Sequence, residues 1–315
     1  LCRLSSALTV EELPFGSTRW PASAGFFWCI FVVIMGMTAA LLSDLLPVTP
    51  RLPVLFVGHG SPMNAIEKNA WHLTWADLGQ ELLQRFPRPT LIVCISAHWL
   101  TGGSWALSGA AQPATLHDFG GFPPELYQCR YPAPGAPALA PALAAALKNP
   151  ATGKPLNVDW ERGLDHGAWG VLQPMFPQAD IPVVQLSMDI TRPAAEHWAL
   201  GQQLAALRER GVLLVASGNV VHNLSTLRQG MGLNATYRWA LQFDDRVANH
   251  ILAGDVQPLV QFAQWGDITE VCHPTHEHFL PLLYAAAAVL PGDRPRFFNA
   301  GFQMASIGMR SVVWE

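Results

Sequence analysis

The 315-residue chain is short of charge. Lysine and arginine number 19, aspartate and glutamate 23, and no like-charge block occurs. A net charge of −4 gives no basic field to attract nucleic acid or anionic lipid, so neither is expected as a partner. The five cysteines (Cys2, Cys29, Cys94, Cys129, Cys272) are odd in number, widely spaced and form no CxxC pair. That argues against a disulfide framework and against a thiolate zinc knot, and fits a reducing, cytoplasmic setting. No repeat of solenoid length is present.

What the chain does have is apolar bulk, with half its residues hydrophobic, enough for a substantial core in one large domain or two ordinary ones. It also has eleven histidines, high for this length, and imidazole is the commonest protein metal ligand as well as a proton carrier near neutral pH. Residues 24–42, AGFFWCIFVVIMGMTAALL, form an uncharged run close to bilayer-spanning length. Either it is a membrane anchor or it belongs to a mis-called start, because the chain opens on Leu1 and Met35 and Met37 lie just ahead of the first strand.

Three apolar runs each lead to a histidine. Leu52 to Asn64 reads LPVLFVGHGSPMN and delivers His59; Leu91 to Trp99 reads LIVCISAHW and delivers His98; Val212 to Asn223 reads VLLVASGNVVHN and delivers His222. The pattern predicts buried strands ending in tight loops, the second strand closing at Ser96. In open α/β sheets ligands gather outside the carboxyl ends of the strands, so these exits can bring three imidazoles to one point. Between them the periodicity predicts helices over about 65–86, 136–147, 193–210 and 236–252, with further strands at 105–108, 181–188, 296–299 and 311–314. The expected fold class is α/β: a single three-layer α/β/α domain with a central mixed sheet.

The remaining histidines read less uniformly. The turn-rich stretch 112–134 is longer than most connections, which favours a binding loop, and there His117 and Asp118 either face a ligand or shape turns. His166, between Asp165 and Gly167 just ahead of a helix expected from Ala168 or Trp169, sits where the helix dipole lowers an imidazole pKa; the alternative is a capping loop. His276 and His278 are expected near a helix start at Pro274 and Thr275, pointing apart, so at most one is a ligand. His72, His197 and His250 read as packing or surface residues. On residue types alone, His59, His98, His222 and one of the last pair form either a histidine metal site or scattered core histidines.

Several short motifs in a fixed order favour the first reading. GHGSPMN (His59), SAHW (His98), HDFGGFP (His117), YPAPG, GLDHGAW (His166), VASGNVVHNL (His222) and HEHFLPLLY (His278) together resemble the class III extradiol ring-cleavage dioxygenases. The likeness is to the 4,5-DOPA extradiol dioxygenase-like branch, related to the catalytic subunit of protocatechuate 4,5-dioxygenase. It runs from about Leu52 to the C-terminus, implying a catalytic domain over 51–315 behind an N-terminal extension over 1–50.

The resemblance implies a non-haem Fe(II) enzyme, with Zn(II) a metal often found bound, that inserts both atoms of O2 into a catechol beside the hydroxyl-bearing carbons to give a ring-opened semialdehyde. It implies His59, His98 and His278 as metal ligands and His222 as either a further ligand or the acid/base, with a pKa suited to neutral pH. His166 would contact substrate or oxygen as a second catalytic residue, and His117 is a further substrate-binding position. Glu277 is the competing carboxylate. Plant members that make betalain precursors carry a Pro- and Asp-containing motif just after the position of His222, whereas here the chain reads HNLSTL. The implied partners are therefore O2 and a small aromatic diol, DOPA-like or otherwise, with the protein a monomer or dimer. A zinc-dependent hydrolase using the same histidines is the competing enzyme class, and a closed, non-catalytic or membrane-tethered metal module the competing non-enzyme.

Overall fold

A computed structural model describes residues 45–228 and 236–315; the apolar run 24–42 lies outside them. Among the described residues no helix is long and apolar enough to cross a membrane. Four parallel strands form the centre of the sheet: β1 (Val54–Gly58), β2 (Leu91–Thr101), β5 (Val183–Asp189) and β6 (Val212–Gly218). With β3 (Ala106–Ser108), β4 (Asn157–Asp159), β7 (Pro295–Phe298) and β10 (Ser311–Trp314) they make an eight-stranded sheet of order β4-β3-β5-β2-β6-β1-β10-β7. β10 joins β1 antiparallel and β3 joins β5 antiparallel, so the sheet is mixed, as expected.

The central strands read as unbroken apolar runs because both their faces are covered. Val54 and Phe56, Val93 and Ile95, and Leu214 and Ala216 face one core, while Leu55 and Val57, Ile92 and Cys94, and Leu213 and Val215 face the other. Helices α1 (Ala70–Arg85) and α4 (His166–Met175) supply the second of these cores, and α5 (Ala194–Leu204), α6 (Arg238–Ala253) and α8 (Leu280–Ala287) the first. Short helices α2 (Pro124–Tyr127), α3 (Ala140–Ala146) and α7 (Asp267–Cys272) lie in the connections. A hairpin of β8 (Phe302–Gln303) and β9 (Ile307–Gly308) stands outside the main sheet.

Several boundaries differ from expectation for local reasons. Asn69 caps α1 by accepting from the His72 N–H, so the helix starts five residues later than its apolar spacing suggested, after a 3₁₀ turn at Pro62–Ala65. The helix expected over 193–210 tightens to 3₁₀ geometry after Leu204. Asp165, not a later residue, caps α4, which makes His166 its first residue. The C-terminal helix begins at Leu280, leaving His276 and His278 in the turn before it. Finally, β2 does not stop at Ser96. Ile95 pairs with Leu186 and Leu100 with Met188, so five steps along β2 match two along β5, and His98 sits within that bulge.

Candidate metal centre

Because β1, β6 and β2 are parallel neighbours, their carboxyl ends open on one edge of the sheet. His59 follows Gly58 directly and its backbone N–H donates to the Gly218 carbonyl at 3.0 Å. His98 projects from the β2 bulge, and His278 reaches the same point from the turn before α8, whose backbone lies hard against β6. A Cβ on Gly218 would sit 2.2 Å from the His278 carbonyl oxygen, so only glycine permits that approach. The ligand atoms of His59, His98 and His278 all lie within 4.8 Å of one another, and the Nε2 atoms of His59 and His98 are 3.2 Å apart.

Hydrogen bonds around these rings fix which nitrogen is bare. Ser217 Oγ donates to the Gly167 carbonyl at 2.5 Å and therefore accepts from His59 Nδ1 at 3.0 Å, leaving the lone pair on His59 Nε2. Glu277 Oε1 accepts from His278 Nδ1 at 2.9 Å and from Thr275 Oγ1 at 2.9 Å; His278 Nε2, buried, meets no protein partner. A carboxylate or hydroxyl behind each imidazole is the usual arrangement for orienting a metal ligand. Burial, helped by the neighbouring imidazoles, pushes the His59 and His278 pKa values well below the ordinary histidine range, and burial pushes His98 down to about 4. All three are neutral near pH 7, the state a metal requires. Converging, neutral nitrogens, with the His278 Nε2 unpartnered and those of His59 and His98 meeting only each other, fit a divalent transition metal.

His222 is placed differently. Its ring stacks on His278 with centroids 3.4 Å apart and planes 5° from parallel. Its ligand atom also lies within 4.8 Å of those of Glu277 and His278, so these three form a second group of candidate donors beside the first. Burial, partly offset by Glu277, takes the His222 pKa down to about 4, below the near-neutral value expected.

His166 is fixed twice by Asp118, whose Oδ1 accepts from its backbone N–H at 2.9 Å and whose Oδ2 lies 3.1 Å from Nδ1. Burial opposes ionisation of Asp118, yet the bond from His166 prevails and holds that carboxyl at about 2. His117, expected to face a ligand, does not line the cavity. Its Nε2 lies 3.2 Å from the Cys129 carbonyl and its ring packs among Phe119, Tyr127 and Trp169 under the loop that presents Asp118. His276 turns away onto Phe262.

A cavity of about 440 Å³ opens over the histidines. His59, His98, His166, His222 and His278 line it, together with an apolar wall of Phe119, Phe122, Leu224, Leu227, Met304 and Ile307. That wall was missed in sequence, as was the buried network in which Asp165 accepts from Ser96, Arg162 and Gln185 while Arg162 also bonds the His98 carbonyl. The available signal was a serine inside two of the three apolar runs, Ser96 and Ser217, ahead of the histidine each run delivers.

Residues 50–314 match the family described as the catalytic LigB subunit of aromatic ring-opening dioxygenase. The chain belongs to this class III extradiol dioxygenase family. It is 47% identical over 277 residues to the 4,5-DOPA dioxygenase extradiol of Escherichia coli K12, covering 86% of this chain and 98% of that one. It is 33% identical to the Mirabilis jalapa protein of the same name, over 76% and 87% of the two chains. The crystal structure of an uncharacterized Escherichia coli K12 protein superposes with a TM-score of 0.70 at 41% identity, over 84% of this chain and 99% of the other. Like its relatives, this family member is an aromatic ring-opening, metal-dependent dioxygenase.

Proposed function

We propose that the protein cleaves a substituted catechol beside its hydroxyl-bearing carbons, using Fe(II) held by His59, His98 and His278, with His222 as acid/base and His166 as a substrate contact. The observation carrying this is the convergence of imidazole nitrogens in a cavity that Phe119, Phe122 and other apolar side chains also line. Bound Fe(II) would supply Lewis acidity toward the catechol oxygens and reducing power toward dioxygen. The chain's own residues do the rest. Neutral His222 takes a proton from a catechol hydroxyl and returns it to the opened product, its low pKa keeping it unprotonated until substrate arrives. Asp118 fixes the His166 backbone and lies 3.1 Å from its Nδ1, so His166 stands ready at the cavity to meet a substrate hydroxyl. Phe119 and Phe122 exclude water and pack the ring.

The catalytic unit in this reading is 51–315, although Leu46 is already buried in its core. Free Cys94, Cys129 and Cys272 accord with a reducing, cytoplasmic setting. Loading the protein anaerobically with Fe(II), then adding oxygen and a panel of catechols, is the direct test: oxygen uptake with a yellow ring-fission product is expected. Ester hydrolysis by the zinc form with no oxygen uptake would instead identify a hydrolase. His222→Ala should keep the metal and lose turnover; loss of metal as well would make His222 a ligand.

A further inference from the structure

The hairpin closing one side of the cavity adopts a backbone its residues resist. β8 and β9 pair Phe302 with Gly308 and Gln303 with Ile307, leaving Met304, Ala305 and Ser306 to turn the chain. Met304 and Ala305 stand at φ of 48° and 67°, two consecutive left-handed residues where hairpins ordinarily use asparagine or glycine. Neither has a short polar side chain to ease that conformation. Such strain persists only where the surroundings over-determine it.

Here they do. The Met304 carbonyl accepts from Arg228 N at 3.1 Å, the Ser306 carbonyl accepts from Asn223 N at 3.2 Å, and Ser306 Oγ donates to the Asn223 carbonyl at 2.8 Å. Beneath them Ile307 bridges to His222, and Gly308 N donates to the Val221 carbonyl at 2.8 Å. Gln303 secures the other side, accepting from Ser61 N at 2.9 Å and donating to Asn64 Oδ1 at 2.8 Å in the loop that follows His59. The strained turn thus ties the His59 loop to the segment carrying His222, and what it presents to the cavity is the side chain of Met304.

Building on the catechol reading, we propose that Met304 determines which ring substituent the enzyme accepts. A thioether makes favourable contacts with an aromatic ring and, being unbranched, shifts to fit it, whereas Phe119, Phe122 and Ile307 in the same wall are stiff.

The test uses the full chain, iron-loaded for kinetics and metal-free for melting, with unsubstituted catechol and a bulky 4-substituted catechol as probes. Ala305→Gly should raise the melting midpoint by about 1–4 °C with kinetics unchanged. Met304→Gly relieves the same backbone but removes the wall: KM for catechol should rise about tenfold while KM for the bulky probe rises by less than about threefold. Met304→Leu keeps the bulk but loses the thioether and is branched, so KM for catechol should stay within about twofold of the parent while KM for the bulky probe rises about threefold or more. An unmoved ratio of the two KM values in Met304→Gly overturns the assignment, as does a lower melting midpoint in Ala305→Gly. A parent enzyme that takes up oxygen with neither probe overturns the catechol reading itself, and this assignment with it.

Discussion

The molecule holds two populations of buried histidine. His59, His98 and His278 meet at the strand ends; His197 and His273 lie in the helical layer, His197 Nδ1 2.8 Å from the Tyr284 hydroxyl and His273 Nε2 2.7 Å from the Val220 carbonyl. Burial lowers the pKa in both, to about 4 for His197 and about 3 for His273. Each population even keeps a nitrogen without a protein partner. Neither burial nor pKa therefore separates a ligand from a packing residue. Convergence does: among the described residues, His197 and His273 belong to no set of three donor atoms within 4.8 Å of one another.

The largest expected effect comes from exchanging the two populations. On the proposed ligand set, His59→Ala should abolish measurable metal binding by equilibrium dialysis and lower turnover by about a thousandfold or more. His197→Gln should leave the metal bound while lowering the melting midpoint; loss of metal in that variant would break the distinction. One step out, Glu277→Gln and Ser217→Ala remove the groups behind His278 and His59, and competition with a chelator should report affinity about 10–100-fold weaker.

Gly167→Ala sharpens the contrast by steric means, because its Cβ would stand 2.4 Å from Ser96 Oγ and 2.9 Å from His98 Cδ2. Weaker metal binding with a stability loss of about 1–3 kcal/mol in chemical denaturation is expected. The smallest effect concerns the packing histidines. With folded pKa values of about 3 and 4 against about 6.5 in the unfolded chain, protons bind the unfolded state first, so stability is highest above pH 6.5 and declines as pH falls toward 4. His197→Gln should flatten that decline by up to one proton in denaturation midpoints measured across the range.

Much of this was readable along the chain. The apolar runs marked β1, β2 and β6 correctly because strands covered on both faces have no polar side to interrupt them. Ordered motifs around His59, His98, His166, His222 and His278 indicated the family, and the cavity gathers all five rings. His117 was the residue most misleading in one dimension: its motif borders the site, but Phe119 lines the cavity and Asp118 meets His166, while the His117 ring packs on Trp169. The bulge that aims His98 was invisible, because it arises from mismatched pairing between β2 and β5 rather than from any residue in β2. So was the turn at Met304 and Ala305, where local preference points away from the conformation adopted.

By itself the sequence determined the layered α/β architecture, the exits from its strands and the set of imidazoles, because side-chain periodicity and motif order are properties of neighbouring residues. Only the tertiary structure decided which nitrogens are bare, that His222 stacks on His278, and which apolar side chains share their cavity. Those outcomes depend on hydrogen bonds and contacts between segments as far apart as Ser61 and Gln303, and direction in space is not written in spacing along the chain.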